Sequence, residues 1–171
     1  MRLSKAWTKR TGLTLWTLVA ALGCSDDDAS SDDAKDSVPT TGRYAGCTHV
    51  IKAGSDAETI QTALIEAKTK SVLCFADGEY KLDRELSSSV NDITVRGNPD
   101  NRRAVVLDYT DQKEGKDALA ASGAGFTIEH LSVKNSHGNA IVVKNTERVT
   151  FRNLYVSWAP RPRTGRTRST R

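Results

Sequence analysis

The chain has 171 residues, of which 37% are hydrophobic and 27% are charged, a composition that is typical of a globular domain and excludes disorder of the whole chain. The formal net charge of +4 arises outside the central part, because residues 1–23 and 161–171 are basic and residues 25–37 are acidic. Residues 38–160 are therefore neutral. A neutral body lacks the basic face that phosphate neutralisation requires, so we expect no nucleic-acid partner.

The segment 1–23 has the pattern of a signal peptide. A basic stretch is followed by an apolar run over 11–23, which at about 13 residues is too short for a bilayer span of about 20. The run ends in Ala-Leu-Gly-Cys, which resembles a bacterial lipobox, although Ala21 stands where that motif prefers Leu. We expect Cys24 to be the acylated mature N-terminus. The alternative is an ordinary signal peptide with an unmodified cysteine.

An acidic segment follows this cysteine. Between Cys24 and position 37 no apolar side chain is larger than alanine, and the repeated aspartates repel each other, which predicts a disordered tether over residues 24–46. Ser25 directly after the cysteine resembles the sorting signals of Gram-negative lipoproteins that favour the outer membrane. The sequence therefore predicts an envelope protein that contacts outer-membrane lipid through Cys24.

Two further cysteines, Cys47 and Cys74, remain as an even pair. In an oxidising compartment this number favours a disulfide, and two buried free thiols are the alternative. Neither cysteine has a His or a second Cys at metal-ligand spacing, so we expect no metal site and no cofactor.

A helix is predicted over about residues 56–68. Ser55 and Glu58 have the spacing of a capping box just before an apolar run. The apolar residues then recur at helical spacing: Ile60, Ala63, Leu64 and Ala67. A short buried strand at 72–75 follows, and beyond it we predict only short strands separated by Gly, Asn and Asp.

These short strands repeat. A motif of an apolar residue, Thr, a second apolar residue and a charged residue occupies 93–96, 126–129 and 149–152. The spacing between the last two copies suits one coil of a parallel β-helix. The first copy stands farther from the second, which predicts an insertion of about ten residues, with 111–117 as the obvious candidate. A second repeat relates 117–119 to 139–141.

The position after each copy of the motif holds a residue type that tolerates a left-handed backbone. These residues are Gly97, His130 and Asn153. A β-helix turns sharply between strands, and one residue with positive φ makes such a corner, so we assign this column to a corner.

The segment from about 47 to 158 resembles the right-handed parallel β-helix proteins of the pectin-lyase-like group, and more narrowly the bacterial parallel β-helix repeat envelope proteins. The resemblance lies in residues 57–67, 77–80, 93–97 and 138–153. It implies an all-β fold, a right-handed parallel β-helix (solenoid) with an N-terminal capping α-helix.

The β-helix pattern stops at Trp158. Residues 159–171 contain no apolar side chain after Ala159 and are interpreted as a basic disordered tail with affinity for anionic lipid or lipopolysaccharide. A shift of reading frame by one nucleotide permits Asn-Gly-Ala-Tyr-Ala-Leu-Tyr-Pro in place of residues 164–171, a string with β-helix composition. The sequence therefore favours a frameshifted and truncated member of the β-helix group, with a genuine basic tail as the alternative.

Catalytic motifs are not evident in the sequence. The resemblance implies, for lyases of this fold, a Lys or Arg base that abstracts a proton α to a uronate carboxylate, often with Ca²⁺ held by Asp or Glu. The residues that fit such roles, each better explained as a solvated coil edge or turn, are Asp108, the segment from Lys134 to His137, Lys144 and Asn145. His49 has no assigned role.

The sequence shows no cluster of Asp with Lys or Arg on one strand column, so no residue is assigned as catalytic. The first hypothesis is a non-catalytic, lipid-anchored β-helix protein of the cell envelope, or a remnant of one. The second is a polysaccharide lyase or epimerase of the pectin-lyase-like group, with a polysaccharide as its partner.

Overall fold

The structure, a computed structural model, describes residues 42–160. The predicted signal peptide, Cys24, and most of the predicted tether and tail lie outside the described residues. Within them, no helix is both long and apolar enough to cross a membrane.

Short strands wind through this region as a parallel β-helix of about five turns. The strands are β1 (His49–Ile51), β2 (Val72–Phe75), β3 (Gly78–Lys81), β4 (Arg84–Ser88), β5 (Thr94–Arg96), β6 (Val105–Asp108), β7 (Glu114–Ala121), β8 (Thr127–Glu129), β9 (Ser132–Lys134), β10 (Ile141–Val143), β11 (Thr150–Arg152) and β12 (Tyr155–Ser157). A single 3-10 turn (Gly42–Tyr44) precedes the strands in this range, and the α-helix α1 (Ala57–Glu66) lies between β1 and β2. The all-β parallel β-helix that the sequence predicts is confirmed.

In this part of the chain the strands form three parallel sheets. The first sheet has the order β1-β2-β5-β8-β11, the second β3-β6-β9-β12 and the third β4-β7-β10. In the first sheet Thr94 lies opposite Thr127, and Thr127 lies opposite Thr150. The three copies of the sequence motif therefore stack in the register that the repeat predicts.

Stacked apolar side chains fill the interior. In the columns given next, a buried side chain lies over the equivalent one of the preceding coil. The stacked columns are Leu73, Val95 and Ile128 in the first sheet, Tyr80, Leu107 and Val133 in the second, and Leu86 and Leu119 in the third. Burying one such side chain contributes about 1.5–3 kcal/mol, so the coils stabilise one another chiefly through these columns.

Helix α1 covers the first coil at the edge of the third sheet. Its residues Ile60 and Leu64 are buried in the core. The side-chain amide of Gln61 donates to the carbonyl oxygen of Ser87 (2.9 Å) and accepts from the Ser87 N–H (2.8 Å). Gln61 thus makes hydrogen bonds that a neighbouring strand would otherwise make with the edge of β4. In this way α1 caps the solenoid.

The predicted capping box is wrong by one position. The N-cap residue is Asp56, whose carboxylate accepts a hydrogen bond from the Thr59 N–H at 2.8 Å. The hydroxyl of Ser55 instead donates to the carbonyl oxygen of Lys52 at 2.9 Å. Asp and Ser are equally good caps, so the sequence could not choose between adjacent candidates.

The insertion is also placed differently from the prediction. The sequence separation between paired residues is largest for Thr94 with Thr127 and smaller for Leu107 with Val133. Most of the extra length therefore lies between β5 and β6, in the segment 97–104. The separation falls again for Leu119 with Ile141, so a smaller part lies between β6 and the end of β7. The segment 111–117 accounts for this smaller part only.

The predicted corner column is correct at two positions and wrong at the third. His130 has φ of 60° and Asn153 has φ of 47°. Gly97 does not have positive φ. A Cβ at Gly97 would lie 2.1 Å from the carbonyl oxygen of His130. Glycine is required there because successive coils approach closely, not because the backbone is left-handed.

A disulfide joins Cys47 to Cys74, with the Cα atoms 5.8 Å apart. It ties the segment before β1 to β2. Cys74 is buried in the first sheet, so the bridge anchors the N-terminal entry of the chain to the core.

Candidate functional site

The second sheet carries a charged column on its outer side. Lys81, Asp108 and Lys134 occupy equivalent positions on β3, β6 and β9. The Nζ atom of Lys134 lies 2.6 Å from Oε1 of Glu79 and 3.3 Å from Oδ2 of Asp108. We call Glu79, Asp108 and Lys134 the Lys134 cluster. The structure thus brings together an Asp and a Lys on one strand column, which the sequence analysis did not predict.

Hydrogen bonds keep Asp108 and Lys134 ionised. Burial opposes ionisation of Asp108, but hydrogen bonds from the hydroxyl and N–H of Thr110 and from Lys134 outweigh it, so the pKa of Asp108 lies below its ordinary value. The hydrogen bond to Glu79 raises the pKa of Lys134, with a further contribution from Asp108, against the opposing effect of burial. Lys134 is therefore held as an ammonium ion.

An open groove of about 660 Å³ adjoins the cluster. Its walls come from Thr110, Asn135, Ser136, His137 and Trp158, among others. The Asn135 amide donates to the Thr110 hydroxyl at 2.7 Å, and the Trp158 indole N–H donates to the Ser136 carbonyl at 2.9 Å. With its N–H fixed and half of its surface exposed, Trp158 presents a rigid aromatic face beside hydroxyl and amide groups.

The other predicted site residues do not join this cluster. Lys144 follows β10 of the third sheet and lines a separate groove of about 350 Å³ between that sheet and α1. Asn145 has φ of 51° and forms part of the turn after β10. His49 is exposed on β1, beside α1. Among the residues first considered, Asp108 and the segment from Lys134 to His137 are the ones that the fold places together.

The first sheet carries a second charged column, which the sequence analysis missed. Arg96, Glu129 and Arg152 lie on β5, β8 and β11 at equivalent positions. Glu129 is buried and accepts from Nε of Arg96 (2.7 Å) and Nε of Arg152 (3.0 Å). Burial opposes its ionisation, but the two arginines lower the pKa of Glu129. The sequence could have predicted this column, because the charged position of the repeated motif alternates Arg, Glu and Arg in its three copies.

Comparison with known proteins adds nothing to these observations: no family model, no curated protein and no solved structure matches the chain. Within residues 42–160, no group of three or more His, Cys, Asp and Glu side chains is placed to hold a metal ion.

Proposed function

We propose that this chain is a lipid-anchored β-solenoid of the bacterial cell envelope that binds polysaccharide without cleaving it. The lipobox before Cys24 and the acidic segment after it support the anchor. The solenoid supports a display or binding role, since its stacked coils present long, regular surfaces.

The state of Lys134 carries the non-catalytic part of the proposal. A lysine that abstracts a proton must be uncharged beforehand, which enzymes achieve by lowering its pKa through burial or a neighbouring cation. Lys134 has the reverse surroundings, because Glu79 and Asp108 both bind its ammonium group and raise the pKa. Its geometry fits a structural ion pair that connects β3, β6 and β9.

The groove beside the cluster supports polysaccharide as the ligand. The half-exposed Trp158 ring offers an apolar face for a sugar ring, and Thr110, Asn135 and His137 offer polar groups at its margin. No change in the ionisation of the Lys134 cluster is needed for such binding.

A lyase or epimerase is the second candidate, and one observation favours it. Lys81, Asp108 and Lys134 share a strand column next to an open groove, which is the kind of arrangement in which a base and an acid could flank a uronate. Under this hypothesis Lys134 must leave its two carboxylates before it reacts.

The anchor is tested by intact-mass analysis of protein extracted from membrane fractions. We expect the mature chain to begin at Cys24 and to carry diacylglycerol, and we expect a Cys24→Ser variant to lose the lipid. A soluble, unacylated protein of full mature length would contradict the anchor.

Binding and catalysis are separated by two measurements on mature protein carrying Cys24→Ser. Affinity electrophoresis on a panel of polyuronates and neutral glycans should show retardation that Trp158→Ala abolishes, whereas Phe151→Ala, which removes an exposed ring from the first sheet, should leave it unchanged. The absorbance of unsaturated uronate should not rise on any polymer. Product formation that disappears in Lys134→Met would contradict the non-catalytic proposal and establish the lyase.

A further inference from the structure

The insertion between β5 and β6 brings two arginines onto one aromatic ring. The Cζ atom of Arg103 lies 4.3 Å from the centroid of the Tyr155 ring, and that of Arg102 lies 6.0 Å from it. Tyr155 belongs to β12, so the inserted segment reaches across the coil that contains β9. Two like charges are thus gathered at one corner of the solenoid.

Internal hydrogen bonds hold the inserted segment in this conformation. The buried side chain of Asn98 accepts from the N–H groups of Asp100 (3.0 Å) and Asn101 (3.2 Å). The Asn101 side chain in turn accepts from the N–H of Arg103 at 3.0 Å. The hydroxyl of Ser132 donates to the carbonyl oxygen of Arg102 at 2.9 Å. The backbone that carries both arginines is therefore preorganised.

In the described part of the chain, neither guanidinium has an acidic partner. Across residues 42–160, no carboxylate lies within 4.0 Å of Arg102 or Arg103. Arg102 donates to the neutral side chain of Asn153 at 3.0 Å, and Arg103 contacts the Tyr155 ring. Contact with a ring uses the planar face of a guanidinium and leaves the N–H donors at its edge available. In the neighbouring first sheet, two further arginines share the single carboxylate of Glu129, which adds positive charge.

We propose that Arg102 and Arg103 form a binding site for a phosphate monoester. Two guanidinium groups held at one aromatic ring match the double negative charge of such a group, and the fork of N–H donors on each can bind its oxygens in bidentate fashion. A single carboxylate would neutralise only one of the two charges. The site lies at the corner between the first and second sheets and does not depend on the lipid anchor or on sugar binding in the Trp158 groove.

The site is tested by NMR on ¹⁵N-labelled mature protein carrying Cys24→Ser. During titration with inorganic phosphate at constant ionic strength, the Nε–Hε resonances of Arg102 and Arg103 should shift saturably in the parent, and so should the backbone amide resonances of residues 98–104, which remain observable in every variant. The double variant Arg102→Gln, Arg103→Gln should bind about tenfold more weakly or not at all. Arg148→Gln removes a charge paired with Asp92 elsewhere on the coil and should bind as the parent does.

A lysine variant distinguishes loss of phosphate binding from loss of folding. Arg102→Lys, Arg103→Lys keeps both charges but removes the planar forks, and we expect it to melt as the parent does and to bind phosphate several-fold more weakly. An equal response to acetate, or an undiminished phosphate response in the glutamine variant, would overturn the proposal.

Vesicles distinguish the two sources of the phosphate group. If the natural ligand is a lipid headgroup, the protein should sediment with phosphatidic acid vesicles more than with phosphatidylglycerol vesicles of matched surface charge, and the glutamine variant should lose this difference. If the protein shows no such preference but binds inorganic phosphate, the ligand is a soluble or sugar-borne phosphate. Absence of binding to both inorganic phosphate and phosphatidic acid vesicles would contradict the site.

Discussion

Replacing Tyr109 by Phe removes one oxygen atom from the middle of the solenoid. The Tyr109 side chain is fully buried, and its hydroxyl has no hydrogen-bond partner among the described residues. Tyr80 is also fully buried, but its hydroxyl donates to the carbonyl oxygen of Ala76 at 2.7 Å. The two tyrosines therefore allow the same chemical change to be made with and without the loss of a hydrogen bond.

The two substitutions should change stability in opposite directions. A buried hydroxyl without a partner costs about 1–3 kcal/mol, so we expect Tyr109→Phe to raise the free energy of unfolding by about 1 kcal/mol after the loss of packing. Tyr80→Phe removes a hydrogen bond and leaves the Ala76 carbonyl unpaired. This change should lower the free energy of unfolding by about 1 kcal/mol.

Alkaline pH should enlarge the difference for Tyr109. Burial, with a contribution from the Glu85 charge, raises the pKa of Tyr109 above its ordinary value. A phenol whose pKa is higher in the folded state ionises first in the unfolded state, so its contribution to stability is lost as pH rises above about 10. Tyr109→Phe lacks this loss, and its advantage over the parent should grow between pH 9 and pH 11.

Urea unfolding followed by circular dichroism at pH 7, 9, 10 and 11 measures both effects. Equal m-values among the proteins would show that the midpoints report stability alone. If Tyr109→Phe were less stable than the parent at pH 7, the hydroxyl would have a hydrogen-bond partner, such as an internal water, and the reasoning would be refuted.

Other substitutions test the disulfide, the buried carboxylate, the cap and the open edge. Cys47→Ser opens a loop of 27 residues and should lower the free energy of unfolding by about 3 kcal/mol, but only under non-reducing conditions, where the parent keeps its disulfide. An unchanged melting temperature under non-reducing conditions would argue for free thiols. Glu129→Gln should lower the free energy of unfolding by about 1–3 kcal/mol at pH 7. The loss is limited because solvent screens the partly exposed arginine partners. Because the pKa of Glu129 is lowered in the folded state, this difference should vanish as pH falls below about 4, and a pH-independent difference would contradict it. Gln61→Ala should cost about 1 kcal/mol by opening the edge of β4, and Gln61→Glu, which cannot donate, should not restore it. Among the described strands β11 is the last of the first sheet, and its unpaired backbone groups should let copies of the chain associate edge to edge. Phe151→Lys on β11 should therefore reduce concentration-dependent association in sedimentation, whereas Ile65→Lys on α1, which is also exposed, should not. Equal effects of the two substitutions would exclude edge pairing.

The repeated motif made the first sheet predictable. Its copies are separated by whole coils, so the register of Thr94, Thr127 and Thr150 could be determined from alignment alone. The corners at His130 and Asn153 followed from the same alignment, since few residue types tolerate a left-handed backbone.

The Lys134 cluster could not be predicted in this way. Asp108 and Lys134 lie opposite each other at a longer sequence separation than the repeat has, because the smaller insertion, between β6 and the end of β7, lies between them. The repeat that aligns Glu129 with Arg152 would have paired other positions. The polar segment 111–117 had the composition of a loop, yet its second half belongs to β7, where a register shift absorbs the extra residues.

Protonation of Lys134 is the point on which the non-catalytic proposal depends, and it can be measured directly. An NMR pH titration of the Lys134 Cε and Nζ resonances in the mature protein should place its pKa above the ordinary lysine value of about 10.4, with Glu79→Gln moving it down. A Lys134 pKa several units below that value would mean that the side chain is available as a base, and the lyase hypothesis would then replace the binding role.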